Sequence, residues 1–374
     1  MTSSERSEPE PAPEPEGGVS RVERSRRGGR RGFAADLRDA VSPRAALLVA
    51  GVLVVQLAFV LSYIGAFHAP APHRVPVAVA APSAQAGAQV VERVNKLPGT
   101  PVDARVVAGP GQARARVLDR SVQAALVIDP QGRSDTLLVA TAGGPAGPAA
   151  VEQLARRLEG AEKRAITVND LRPPSRNDAR GLSSFYLVLG WMIGGYLAAA
   201  LLAQAGGARP ANLNRMLIRL GTLALYAVVS GLGGALIAGP LFGALNGHFL
   251  QLWAIGALVV FAAGASTAAM QILLGTLGIG VAILLYVVLG NPSAGGPYPP
   301  ELMPAFWRVI GPWLPPGAGT ALVRNTVYFH GHATGGPWLV LASYAVAGTM
   351  VSIAVSALMR RRRRQRGGHS RARA

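Results

Sequence analysis

Between Leu250 and Gly290 the chain runs for forty-one residues without a charged side chain. Roughly 20 apolar residues cross the hydrocarbon of a bilayer as a helix. Four further runs are long and apolar: 45–67, 183–204, 216–237, whose one charge is Arg219, and 338–359. Lipid cannot satisfy a backbone N–H or C=O, so unbroken apolar runs of this length read as helices whose bonds close within the segment. The run 250–290 is too long for one helix. It divides within QILLGTLGIG (271–280), where three glycines allow a tight turn. The expectation is a polytopic α-helical membrane protein with six transmembrane helices.

Residues 68–181 differ in kind. They carry charge, and their apolar residues alternate or recur at helical spacing. RVPVAV (74–79), DARVV (103–107), VQAALVI (122–128), TLLVAT (136–141) and ITVN (166–169) read as strands. AQVVERV (88–94) and QARARVLD (112–119) read as helices, and Val151, Leu154, Ala155 and Leu158 give a third amphipathic face. The order βαβαββαβ describes one small α/β domain between the first and second membrane helices. The 23-residue run at 45–67 exceeds the 7–15 residues of a signal-peptide core, which favours a retained helix over a cleaved one.

Within the net charge of +18, the last fifteen residues hold eight arginines and no acid, while nine arginines before Ala45 are offset by eight acids. Residues 1–44 are rich in Pro, Glu, Ser and Arg and read as a disordered cytoplasmic tail, and residues 360–374 form an Arg-rich cytoplasmic tail. Basic clusters beside membrane helices orient them toward the cytoplasm and attract anionic lipid. No nucleic-acid module accompanies them, so the bilayer and not nucleic acid is the expected partner. The domain at 68–181 is then extracytoplasmic, and the 204–216 connector, with Arg209, Asn214 and Arg215, faces inward. The setting is a bacterial cell membrane.

No catalytic constellation is visible. The chain lacks cysteine and a GxxxxGK[ST] phosphate loop, and its six histidines form no metal-ligand pattern; His330 and His332 come nearest. Gly264 and Ser266 have no histidine in the same apolar runs to act as base, so they read as a small-residue helix contact. No Asp or Glu lies between Asp178 and Glu301, which removes an intramembrane aspartyl protease and a carboxylate proton relay. Arg219 is expected to snorkel to the edge. No catalytic residue, cofactor or metal is expected.

The segment GNPSAGGPYPPELMPAFWRVIGPWLPPG (290–317) is too broken for a membrane helix and too apolar for a solvated loop. It reads as an outer re-entrant segment (291–325) in which Pro300 starts a short helix with Glu301 in its first turn and Leu302, Phe306 and Ile310 on one face. Glu301, Trp307, Arg308, Trp313 and Arg324 are its candidate gate or cap residues. Either Glu301 pairs with Arg308 or Arg324, or caps the helix, or it contacts a cationic substrate at a gate. Trp191, Trp253 and Tyr226 read as packing or interfacial aromatics.

The layout of one helix, a large external domain and five helices resembles the type-2 ATP-binding-cassette permeases, in particular their phage-infection-protein-like branch. LGTLGIG (274–280), VVLGNPSAGG (287–296), PPELMPAFW (299–307) and IGPWLPPG (310–317) are similar to that family's text before the last helix, and VQAALVIDP (122–130) resembles a strand of its external domain. The resemblance covers residues 45–359. It implies a membrane subunit that pairs with itself or a similar permease and with a separate ATPase. It also implies export of a lipid, peptide or other hydrophobic substrate. Arg209, Asn214 and Arg215 would then face the ATPase, although their connector is short and rich in Gly and Pro. Some members of the branch imply a different role, that of an envelope receptor or assembly factor.

Overall fold

The computed structural model describes residues 43–131, 134–161, 164–210 and 212–371, so the expected tail at 1–44 lies almost wholly outside the described residues. The chain divides at Gln56. The first helix, α1 (Pro43–Phe67), crosses that division, and its N-terminal part exposes Leu47, Leu48 and Val49. The remainder, from Leu57, is one unit containing the sheet domain and the helical bundle.

The sheet domain runs β1 (Val75–Ala80), α2 (Ala84–Asn95), β2 (Val102–Val107), α3 (Pro110–Leu118), β3 (Ala124–Val127), β4 (Ser134–Val139), α4 (Ala146–Ala161) and β5 (Ala165–Asp170). This is the element order read from the apolar periodicity. The five strands lie in the order β2-β1-β3-β4-β5. β1 is parallel to β2 and β3, β4 is antiparallel to β3, and β5 is parallel to β4. Strand side chains alternate between faces, so Val75, Val77, Leu137 and Val139 enter one core while Ala78, Ala80, Leu138 and Ala140 enter the other. The first core is closed by Val94 of α2 and by Val151 and Leu154 of α4. The second is closed by Ala113 and Val117 of α3, and by Phe329, which comes from the far end of the chain. The sheet therefore completes its hydrophobic burial only by docking on the bundle.

Among the described residues, five helices are long and apolar enough to cross a membrane: Ala45–Phe67, Ser183–Gly206, Leu213–Leu241, Phe249–Leu274 and Gly335–Met359. In chain order after α1, we call them α5 (Ser183–Gly206), α6 (Leu213–Leu236, extended by a π-turn to Leu241), α7 (Phe249–Leu274) and α11 (Gly335–Arg371). α11 continues in helical form to Arg371, into the segment expected as a tail. Hydrophobic segments that pack on every side must be apolar all round, and α7 is the most buried of the five spans, against α5, α6 and α11. Small residues permit these approaches. A methyl group on Gly348 of α11 would lie 2.5 Å from Ser266 N, and one on Gly264 would lie 3.2 Å from Leu223 Cδ2 of α6. Gly264 and Ser266 thus stand at helix contacts.

The run 250–290 breaks where expected, with Gly275 in the left-handed region at φ 66°. Its second half is shorter than a span. α8 (Leu277–Ile283) and the π-turn that follows end at Leu289, thirteen apolar residues in all. At 1.5 Å per residue that is about 20 Å, against the ~30 Å of a bilayer's hydrocarbon. The helix stops because Gly290 and Pro292 follow it, and Gly290 sits against Pro316. The chain between them makes an excursion, then returns as α10 (Pro315–Tyr328) beside α5, α7 and α11.

That excursion departs from the expected single helix. Pro300–Leu302 form one 3-10 turn, and α9 (Ala305–Ile310) is separate. Pro304 is responsible: a residue before proline is pushed out of the helical region, and Met303 is extended at φ −97°, ψ 154°. Glu301 consequently lies outside the first turn of α9. Leu302 is buried while Phe306 is 52% exposed, so the pair does not share a face. Arg219 also differs from expectation. It is 7% exposed and turns inward, donating to Gly207 O at 2.6 Å and Leu202 O at 3.2 Å. Those carbonyls end α5, where helix geometry leaves acceptors open.

Candidate functional site

A cavity of about 630 Å³ lies where the sheet domain, the excursion, α10 and α11 meet. Its size falls within the ~300–1,000 Å³ of small-molecule sites. The sheet domain contributes Arg120, Gln123 and Gly143, and the excursion contributes Glu301 and Trp313. The first turns of α10 contribute Gly317 and Ala318, and its later turns Arg324 and Asn325. α11 contributes Leu339, Val340, Ser343 and Tyr344. Charged groups therefore occupy the domain side, while small and apolar residues extend into the bundle.

Arg120 follows α3 with φ 67°. Helices often place glycine in this left-handed position after their last turn, so an arginine there is held by its surroundings. Its guanidinium lies 4.7 Å from the ring centroid of Phe329, a cation–π distance. It also lies close against Gly143, where a side chain would collide with it. Burial pushes the Arg120 guanidinium below its ordinary value, and the charge of Glu301 works in the opposite direction.

Arg324 is 6% exposed. It donates to the neutral carbonyls Gly295 O at 3.0 Å and Gly181 O at 3.3 Å, and its Nε has no partner. Its pKa is lowered to about 10, first by burial and then by the like charge of Arg120, with Asp178 and Tyr328 partly offsetting this. Asp178 is itself engaged, accepting from Tyr328 Oη at 2.8 Å and Ser183 N at 2.9 Å. That bond and burial push the Tyr328 phenol up to about 12, burial being the larger cause.

Glu301 accepts from Gln123 Nε2 at 3.2 Å through Oε1, while Oε2 has no partner. Its main chain is tied to the domain as well, since Glu301 O accepts from His73 N at 2.9 Å. Glu301 forms no ion pair with Arg308 or Arg324 within 4 Å. The third wall residue with an open atom is Asn325, 5% exposed, with Oδ1 unpartnered. Buried polar atoms without partners are few in native proteins, and three of them belong to residues lining this one cavity.

Of the residues singled out in the sequence, Glu301, Trp313 and Arg324 come together here. Trp307 does not. It packs on α1, with Nε1 donating to Ser62 Oγ at 3.2 Å and its ring against Gly65. Arg308 is half-buried on α9 and does not line the cavity. Trp191 is 3% exposed and packs on Gly234 and Gly256, and Trp253 donates to Val228 O at 2.9 Å, so both pack between helices. Tyr226 is 40% exposed, with its hydroxyl near Gly194.

At the other end of the bundle, Asn214 and Arg215 are exposed at the start of α6. Arg209 donates to Ile272 O at 3.3 Å and Leu273 O at 3.2 Å, capping α7. His330 bonds Arg172 at 2.8 Å across the domain junction. Arg120, Gln123 and Asn325 escaped sequence reasoning. Comparison of the chain with models of protein families, with curated proteins and with solved structures finds no match.

Proposed function

We propose that this chain is the permease-like membrane subunit of an ABC-type exporter, without an ATPase of its own, that handles an amphiphilic substrate. The observation carrying this reading is the cavity, charged toward the sheet domain and apolar toward the bundle. A broken helix adds support: α8 stops at Leu289 and α10 restarts beside Gly290, and its first turn lines the cavity. Interrupted helices of this kind bound substrate sites in transporters, because free backbone groups are tolerated only around a cavity.

On this reading the shortened 277–289 segment makes the sixth crossing and the excursion lies outside it. Both termini are cytoplasmic, the sheet domain is outside, and the membrane is the bacterial cell membrane. A homodimer or a heterodimer with a similar permease would complete the pathway.

One observation favours a second reading, in which the chain is a non-transporting envelope receptor or assembly factor. The described residues of the connector between α5 and α6 form no helix of their own, and Arg209 and Arg219 are both occupied in capping neighbouring helices. That leaves Asn214 and Arg215 as the exposed contact for an ATPase.

The deciding experiment is purification of the full chain in mild detergent from its native membrane, followed by assay for ATP hydrolysis. Association with an ATP-hydrolysing subunit, lost on Arg215→Glu, is the expected result. Full recovery of the chain without any such subunit, also after cross-linking in intact membranes, sinks the exporter reading in favour of the receptor.

A further inference from the structure

The polar wall of the cavity has more capacity than the protein itself uses. Arg324 meets only neutral carbonyls with its two terminal nitrogens and leaves Nε open. Arg120, from the sheet domain, reaches the same wall with no acid among the described residues within ion-pairing distance. Glu301 keeps one oxygen open beside them. Two cations with one acid, each incompletely partnered, are suited to a group that carries a negative charge and a hydrogen-bond donor.

The opposite wall states where such a group comes from. Trp313 and Leu339 both line the cavity, and both are 70% exposed on the apolar surface of the unit. The mouth between the excursion and α11 is therefore rimmed by the same kind of surface that faces lipid. A small water-soluble anion gains nothing from that rim, whereas the chains of a lipid are already solvated there.

We propose that the cavity receives the headgroup of an anionic lipid entering sideways from the bilayer. Its phosphate or carboxylate sits between Arg120 and Arg324, a donor of the same headgroup meets Glu301, and its chains leave past Trp313 and Leu339. The inference rests on reading the chain as a membrane protein with an amphiphile site, and it names the substrate class for that site.

The test uses the full chain purified in an uncharged detergent, with fluorescent phosphatidylglycerol and phosphatidylcholine as probes and glycerol phosphate and inorganic phosphate as competitors. Phosphatidylglycerol has an anionic phosphate and hydroxyl donors, while the choline headgroup has neither net charge nor donor. Phosphatidylglycerol is expected to bind about tenfold tighter than phosphatidylcholine, since bonds to an ionised group are the strong ones. Arg120→Gln removes that preference, and Leu339→Trp, at an exposed rim position, weakens phosphatidylglycerol several-fold with an unchanged thermal transition. Equal affinity for the two lipids, or an Arg120→Gln variant that keeps the preference, overturns the proposal. Displacement by inorganic phosphate as effective as by lipid also overturns it, and assigns a free-anion site instead. A chain that selects phosphatidylglycerol but recruits no ATPase keeps this inference and loses the exporter reading. An ATPase partner without lipid selectivity does the reverse.

Discussion

Two of the buried charges, in different regions of the molecule, are held in different ways. In the sheet domain, Asp135 is 1% exposed and is held by Arg164, whose guanidinium donates to both carboxylate oxygens and to Asp129 O. Asp135 also accepts from Asp129 N at 2.9 Å. At the domain–bundle junction, Arg324 is nearly as buried but faces carbonyls, another arginine and a glutamate that it does not reach. The first arrangement satisfies what burying a charge requires. The second leaves atoms open, and the surrounding fold sustains it without a matching gain in stability. On the proposed reading, the open charge at the junction is where a ligand is to bind.

The comparison can be broken at four points, beginning with the largest effect. Phe329→Ala empties a 1%-exposed aromatic site in the sheet's second core and removes the ring under Arg120. A loss of about 4 kcal/mol is expected, together with faster proteolysis between the domain and α10; an unchanged melting temperature in detergent would show that the domain does not depend on the bundle. Asp135→Ala leaves the Arg164 guanidinium without its carboxylate, at a cost of about 3 kcal/mol in the same melting assay. If it melts like the parent chain, the satisfied pair is not structural.

Arg324→Met should differ from both. The folded state lowers the arginine's pKa to about 10, which means burial works against the charged form. A depressed base binds its proton more weakly folded than unfolded, so its cost is fully present below about pH 10 and fades as pH rises toward its ordinary value near 12.5. Exchange for an apolar side chain is therefore expected to change stability by less than about 1 kcal/mol, while lipid selectivity is lost. A collapse as large as that of Asp135→Ala would place the two arginines in one class. The smallest effect is expected for Glu301→Gln, which keeps an oxygen for Gln123 and so shifts stability by less than about 1 kcal/mol. A large destabilisation would mean that the Glu301 charge serves the fold.

Much of the architecture was legible in the chain because its cause is local. An apolar run matched to bilayer thickness, or a strand with alternating faces, declares itself within twenty residues, and the glycine break at 275 is a property of one position. The excursion was legible only in part. Its prolines announced irregular backbone, yet Pro304 separates Glu301 from α9 through a clash with its own neighbour, which the spacing of Leu302 and Phe306 concealed. The second half of the run 250–290 was expected to span, and it falls short because the break at Gly275 leaves only Leu277–Leu289 before Gly290.

The candidate site was legible for Glu301, Trp313 and Arg324, because the one acid after Asp178 and a proline- and tryptophan-rich segment stand out in a half with few charges. Arg120 gave no such signal. It is one of several arginines around α3, and only its left-handed backbone and the ring of Phe329 set it apart. Sequence alone determined that this chain alternates between a folded sheet domain and helices of bilayer length, since hydrophobic periodicity and length are local quantities. Only the tertiary structure decided that Phe329 closes the sheet and that Arg120 and Arg324 share one cavity with Glu301. Those contacts join residues far apart in the chain, and no periodicity encodes which distant side chains a packed fold brings face to face.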